Sequence, residues 1–228
     1  MQLTTDFLSL PRATLEEMVE AGREVRSWER ILDKTGDTVV SEVTRSAPKL
    51  ADWEHYPAGD VYDTERHAQY YFHVHPAAER PYGEFGHFHT FLRGPGMPRE
   101  ESIEAVCHLA GIGVDKRGRA QRLFTTNRWV TDETWYDAVE VACMLDGFAI
   151  AHARPSWPVN RWVGGLLRLF RPQIMTLLAE RDRVVRCWAE DHPGINTLED
   201  RALEVTSEVG ISVEGQVSAV ERALAWMA

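Results

Sequence analysis

Cysteine is scarce in this chain, and Cys107, Cys143 and Cys187 are odd in number, far apart and without Cys-x-x-Cys spacing. That pattern argues against a disulfide framework and predicts reduced, mostly buried thiols in a cytoplasmic protein. No run of Lys or Arg occurs, and 35 acidic residues against 25 basic ones leave a formal charge of -10. A surface that tracks phosphates is therefore missing, and no nucleic-acid partner is expected. Long apolar runs are absent too. The most apolar helical stretch, Trp162 to Phe170, is interrupted by Arg168 and falls far short of the ~20 residues that a bilayer requires. The N-terminus lacks a basic start followed by an apolar core, so neither a signal peptide nor a membrane partner is expected. Ser nucleophile elbows, phosphate-binding Gly loops and His-Glu-x-x-His are not present either.

What the chain does hold is enough for a real interior: 228 residues, 44% hydrophobic, with eight tryptophans. It reads as one domain over 1–228 with three segments: helical over 1–50, a sheet over 60–127, and helical again over 128–228. Leu15, Met18, Val19, Gly22, Val25, Ile31 and Leu32 recur at helical spacing from Thr14 to about Lys34, with Thr14 and Glu17 as a capping box. The Pro-, Gly- and Asp-rich stretch 46–63 reads as an ordered loop. Aromatic and β-branched enrichment between Gly/Pro breaks predicts four antiparallel strands, near 67–75, 86–93, 103–113 and 118–126. A helix capped by Thr131 or Asp132 follows, then a long helical pattern to about Glu190 kinked or broken at Pro172, and a last helix from Val213 to Met227. The fold class is α+β: an antiparallel β-meander of about four strands packed with several α-helices on one face.

Four of the nine histidines fall in two His-x-His pairs between Tyr70 and Phe91. Alternation along a strand puts Tyr71, His73 and His75 on one side, and His87, His89 and Phe91 on one side of the next strand. If His75 faces His87, then His73 faces His89, with Cβ atoms roughly 4.5–5.5 Å apart. Imidazoles so placed can converge on one ion at about 2.0–2.1 Å. The pattern suits a transition metal, iron first, with copper, zinc or nickel as alternatives. The bland reading is a half-exposed sheet face that happens to carry histidines.

The same stretch resembles the first cupin motif: His73, His75, Glu79 and Gly86 stand at its His-x-His-x3-Glu-x6-Gly spacing. The resemblance implies that Glu79 joins His73 and His75 as a ligand. It is local, since His67 stands where that motif has Gly and no Pro-x-Gly-x2-His stretch follows. Over most of its length, with "DWEHYPAGDVYD", "GHFHTF" and "NRWVTDETW", the chain resembles a bacterial family to which no activity is attached, and the resemblance implies that the three segments act together.

The loop upstream of the first histidine strand, with Trp53, Glu54, His55, Asp60 and Asp63, is positioned to fold over the cluster. Glu54 and Asp60 are candidate catalytic carboxylates, and Tyr71 shares the histidine side of its strand. Arg128, between a strand and a helix start, is a candidate for holding an anionic group of a substrate. His108 lies on a later strand and is read as structural. The leading expectation is a mononuclear non-haem iron or copper oxidoreductase acting on a small organic molecule. A haem- or metal-binding protein without turnover, a zinc-dependent hydrolase, and an interaction module with incidental histidines are the competitors. Helices with strong apolar stripes also allow a homodimer.

Overall fold

The computed structural model describes residues 5–76, 78 and 83–227. Its helices are α1 (Arg12–Asp33), α2 (Val39–Val43), α3 (Arg128–Thr131), α4 (Ala138–Met144), α5 (Trp157–Leu169), α6 (Arg171–Asp191) and α7 (Val213–Trp226). Its strands are β1 (Tyr56–Tyr62), β2 (Ala68–His73), β3 (Gly86–Arg93), β4 (Val106–Val114), β5 (Ala120–Thr126) and β6 (Val205–Gly210). All six form one sheet in the order β1-β2-β3-β4-β5-β6, with every neighbouring pair antiparallel. The α+β class holds, and the sheet has six strands rather than four.

The two extra strands are its edges. β1 lies inside the stretch expected to be a loop, and its register with β2 jumps between Tyr56↔Phe72 and Val61↔Tyr70. The residues between include Gly59 and Asp60, both with positive φ, 82° and 59°. A strand that bulges this way at an edge carries Pro and Gly without losing a central ladder, so its composition reads as loop. β6 reaches β5 only after α3 to α6, and with two acidic residues near it, Glu204 and Glu208, it lacks an apolar alternation to announce it.

Helix limits shifted for identifiable reasons. α1 begins at Arg12, entered through Pro11, whose ring fixes φ near helical values, so Thr14 and Glu17 lie inside the helix rather than at its start, and no side-chain cap is present. Asp137, not Thr131 or Asp132, caps α4 and forms the capping box with Glu140; Asp132 instead ends α3 in a left-handed conformation, φ 49°. The break between α5 and α6 comes just before Pro172, which sits at the start of α6 where no intrahelical N–H is needed. Of the cysteines only Cys107 is buried; Cys143 is exposed and Cys187 half-buried. No helix among the described residues is long and apolar enough to cross a membrane.

The helices cover one face of the sheet. Tyr70, Phe72, Phe88, Ile112 and Leu123 on that face have no exposure, Phe88 packs on Trp162 of α5 with ring centroids 5.5 Å apart, and the Tyr70 hydroxyl donates to Asn160 Oδ1 at 2.6 Å. Trp162 joins three layers: its ring meets the sheet, its helix packs on α1, and its indole N–H donates to Glu29 of α1 at 3.0 Å. Trp162→Ala is expected to cost about 3–5 kcal/mol, read as a lower urea midpoint with little change in the slope of the unfolding transition.

Candidate metal centre

The opposite face carries the histidines. Observed register places His73 opposite His87 and Tyr71 opposite His89, two residues away from the expected His75–His87 and His73–His89 pairing. A two-residue offset leaves every side chain on its face, so the segregation of imidazole from apolar side chains survives. His75 lies past the end of β2 and is half-buried.

β4, the other neighbour of β3, is cut away under the site. Gly113 and Gly111 stand opposite His87 and His89. A Cβ on Gly113 would lie 2.0 Å from Glu84 Oε2, and one on Gly111 would lie 2.2 Å from Cζ of the Phe124 ring. The bare backbone is the room that this carboxylate and this ring occupy. One step along β4 the register shifts between Thr90↔Ala110 and Phe91↔His108. Strict alternation would send His108 to the helical side with Ala110 and Ile112; the bulge turns it to the histidine side.

Among the described residues, His73, His87 and His89 offer ring nitrogens that all lie within 4.8 Å of one another, and all three are buried. The Nε2 atoms of His73 and His87 are 2.5 Å apart. Nδ1 of His87 meets Glu84 Oε1 at 2.7 Å, and Glu84 Oε2 accepts from Arg122 Nε at 2.8 Å, while Arg122 also reaches Glu208 at 2.8 Å. A proton on His87 Nδ1 directed at a carboxylate leaves the Nε2 lone pair facing His73, a contact that needs a proton or a cation in between. Nitrogens bound to one ion at about 2.0–2.1 Å stand roughly 2.9–3.4 Å apart, so a small outward movement of the pair admits one. His89 Nδ1 lies 3.0 Å from His108 Nε2, whose Nδ1 lies 3.3 Å from Thr126 Oγ1. With protons running from His89 towards Thr126, Nε2 of His89 is also a lone-pair nitrogen.

Burial holds these rings neutral. It lowers His73 to about 2, helped by the neighbouring His87, His75 and His55, and His108 to about 3, helped by Arg181. His87 and His89 are driven well below the ordinary value, again chiefly by burial and then by adjacent imidazoles. Burial raises Glu84, against the pull of Arg122.

Above the triad lies a cavity of about 790 Å³. Trp53, His55, Tyr71, Phe124, Trp129 and Val130 line its walls, and Arg201, Glu204 and Glu208 also line it. The loop expected to fold over the cluster does so: the Trp53 amide donates to Val74 O at 2.9 Å, and its ring sits 4.1 Å from that of His75. His55 stacks on Tyr71 at 3.6 Å and pairs with Asp60 at 3.1 Å. Tyr71 thus lines the cavity, whereas Asp60 stands behind His55, also accepting from Gln69 at 2.7 Å. Glu54 is exposed and outside the lining, and Arg128 is outside it too, ion-paired with Glu199. Asp63 is a turn residue, accepting from the amides of Glu65, Arg66 and Ala151. Glu79 lies outside the described residues.

Glu84 and Arg122 were not singled out from the sequence. Glu84 sits in a Gly-rich break that reads as a turn, and Arg122 is a charge on the inward face of a strand. The signal available was the second: an inward Arg on a central strand must have a carboxylate partner.

Fold and site define an α+β protein in which a six-stranded sheet carries helices on one face and a buried histidine triad beneath a cavity on the other. The family described as Domain of unknown function (DUF6969) matches residues 19–211, and the chain belongs to it. Comparison with curated proteins and with solved structures gave no match.

The depressed histidines set the acid limit of the metal-free protein. An unfolded histidine takes up a proton near pH 6.5, whereas these four stay neutral far below it. Below pH 6.5 the unfolded chain therefore binds more protons, and stability falls with pH by about 1.4 kcal/mol per unit for each histidine. Glu133, raised by burial to about 7, acts in the opposite sense as pH falls towards 4.5, and Glu84 and Glu29, raised by burial as well, add to that partial offset. Urea titrations of chelator-treated protein are expected to give a lower midpoint at pH 5 than at pH 7.

Proposed function

We propose that this protein is a metal-dependent enzyme, an iron or copper oxidoreductase acting on a small organic molecule in the cavity above His73, His87 and His89. The observation that carries the reading is the triad itself: three buried, neutral imidazoles converge, with the far nitrogens of two of them engaged by Glu84 and His108. Imidazoles fixed in this way are preorganised donors, and carboxylates hydrogen-bonded to a ligating histidine raise its basicity. A bound ion would supply Lewis acidity and redox chemistry at the floor of the cavity.

The chain's own groups supply the rest. Glu84, braced by Arg122, fixes the proton and ring plane of His87. Trp53, Tyr71, Phe124 and Trp129 give an aromatic wall beside that floor. His55, held by Asp60, faces the same cavity as a candidate acid–base group, with Tyr71 stacked beneath it. Redox chemistry is preferred because the carboxylate nearest the triad, Glu84, is engaged by His87 and Arg122 and so is not free to act as a general base.

Elemental analysis of untagged protein purified without chelators tests this directly. Near-stoichiometric iron or copper is expected in the wild type and loss of it in a His73→Ala/His87→Ala variant. Zinc in its place would redirect the reading to hydrolysis, with Glu204 as base, and a Soret band would replace it with haem. Metal-free, equally folded protein in both samples would overturn it.

Glu84→Gln keeps the size of the side chain and removes its charge. It is expected to weaken metal binding about 10–100-fold, measured by competition with a chromogenic chelator, while the far-ultraviolet circular dichroism stays unchanged.

A further inference from the structure

We infer that the cavity is built for a substrate with an unsaturated or aromatic body and a single carboxylate, which Arg201 binds. This rests on the proposed function, since it names the substrate class of the same site. Two arginines line the cavity among its described residues, and they differ in one respect. Arg122 is buried and is neutralised by Glu84 at 2.8 Å and by Glu208 at 2.8 Å. Its charge is thus already balanced by two carboxylates. Arg201 is exposed and makes no ion pair with any described residue. Its guanidinium carbon lies 5.0 Å from the centroid of the Trp129 ring.

Stacking on an indole restricts the guanidinium while leaving its N–H edges available, and a planar fork of donors matches a carboxylate. The same tryptophan belongs to the cavity wall, with Trp53, Tyr71, Phe124 and Val130. An apolar body packed along that wall therefore shares the cavity with both a cation and the histidine floor. Stacked rings favour flat, polarisable bodies over branched aliphatic ones. Glu204 shares the lining with Arg201 and disfavours a second anionic group there, which limits the ligand to one carboxylate. The indole N–H of Trp129 donates to Leu203 O at 2.8 Å, so the platform under Arg201 is fixed to the segment that carries it.

The test is ligand binding to the protein as purified, followed by quenching of tryptophan fluorescence. The probes are benzoate, phenylacetate and cinnamate, each compared with its primary amide, and metal content is measured in every sample. At least one carboxylate is expected to bind about tenfold more tightly than its amide. Arg201→Gln, at an exposed position, is expected to abolish that preference without altering metal content or melting temperature. Equal Kd values for acid and amide, persistence of the preference in Arg201→Gln, or no binding of any carboxylate at millimolar concentration would each overturn the inference. A preference for carboxylates that depends on Arg201 in protein without metal would support this inference while removing the metal-dependent function, so the two can fail separately.

Discussion

Three imidazoles can share a buried face without charge only if the proton of each has a defined destination, and Glu84 supplies the one that fixes the rest. Its carboxylate takes the Nδ1 proton of His87 on one oxygen and Arg122 on the other. With that proton committed, His87 turns a lone pair towards His73. Arg122 in turn needs Glu208 on the far edge strand, so the ring plane of a histidine on β3 is set through β5 and β6. Glu84 would not be tolerable here as an anion without Arg122, because a buried charge without its partner is strongly destabilising, whereas Arg122 keeps Glu208 when Glu84 is neutralised.

The sheet serves two purposes on its two faces, and its irregularities sit where those purposes meet. On the helical side the strands bring Tyr70, Phe72, Phe88, Ile112 and Leu123 into one fully buried core. On the cavity side two glycines remove side chains from β4, a bulge in β4 turns His108 under His89, and a bulge in β1 carries Asp60 out to His55. Gly113 and the two bulges each accommodate a polar group that regular alternation would have put elsewhere or crowded out, and Gly111 does the same for the Phe124 ring.

How much of this was legible follows from the range of the forces involved. The helical face of α1 and the alternation in β2 and β3 are local patterns, and they led to Leu15, Met18 and Val25 in the core and to His73, His87 and His89 on one face. The exact register was not local: hairpin strands may be slid by two residues without changing a single face, so His75 was paired with His87 where His73 stands. Glu84 and Arg122 lie 38 residues apart in sequence, and nothing in either segment marks them as partners. β1 and β6 escaped notice because edge strands carry the bulges, Pro, Gly and charge that interior strands exclude.

The route of the chain between β5 and β6 has a consequence for assembly. The histidine strands form a hairpin and its neighbour follows directly, so the floor of the site rests on contacts close in sequence. The wall bearing Glu204 and Glu208 joins only after residues 127–204 have been folded into helices and the loop across them has been closed, a step whose entropy must be met before its contacts form. The three imidazoles and Glu84 thus lie within one short stretch of chain, and only the outer partner of Arg122, Glu208, is brought in across the long loop, so the last strand completes the charge balance of a site whose other parts are local.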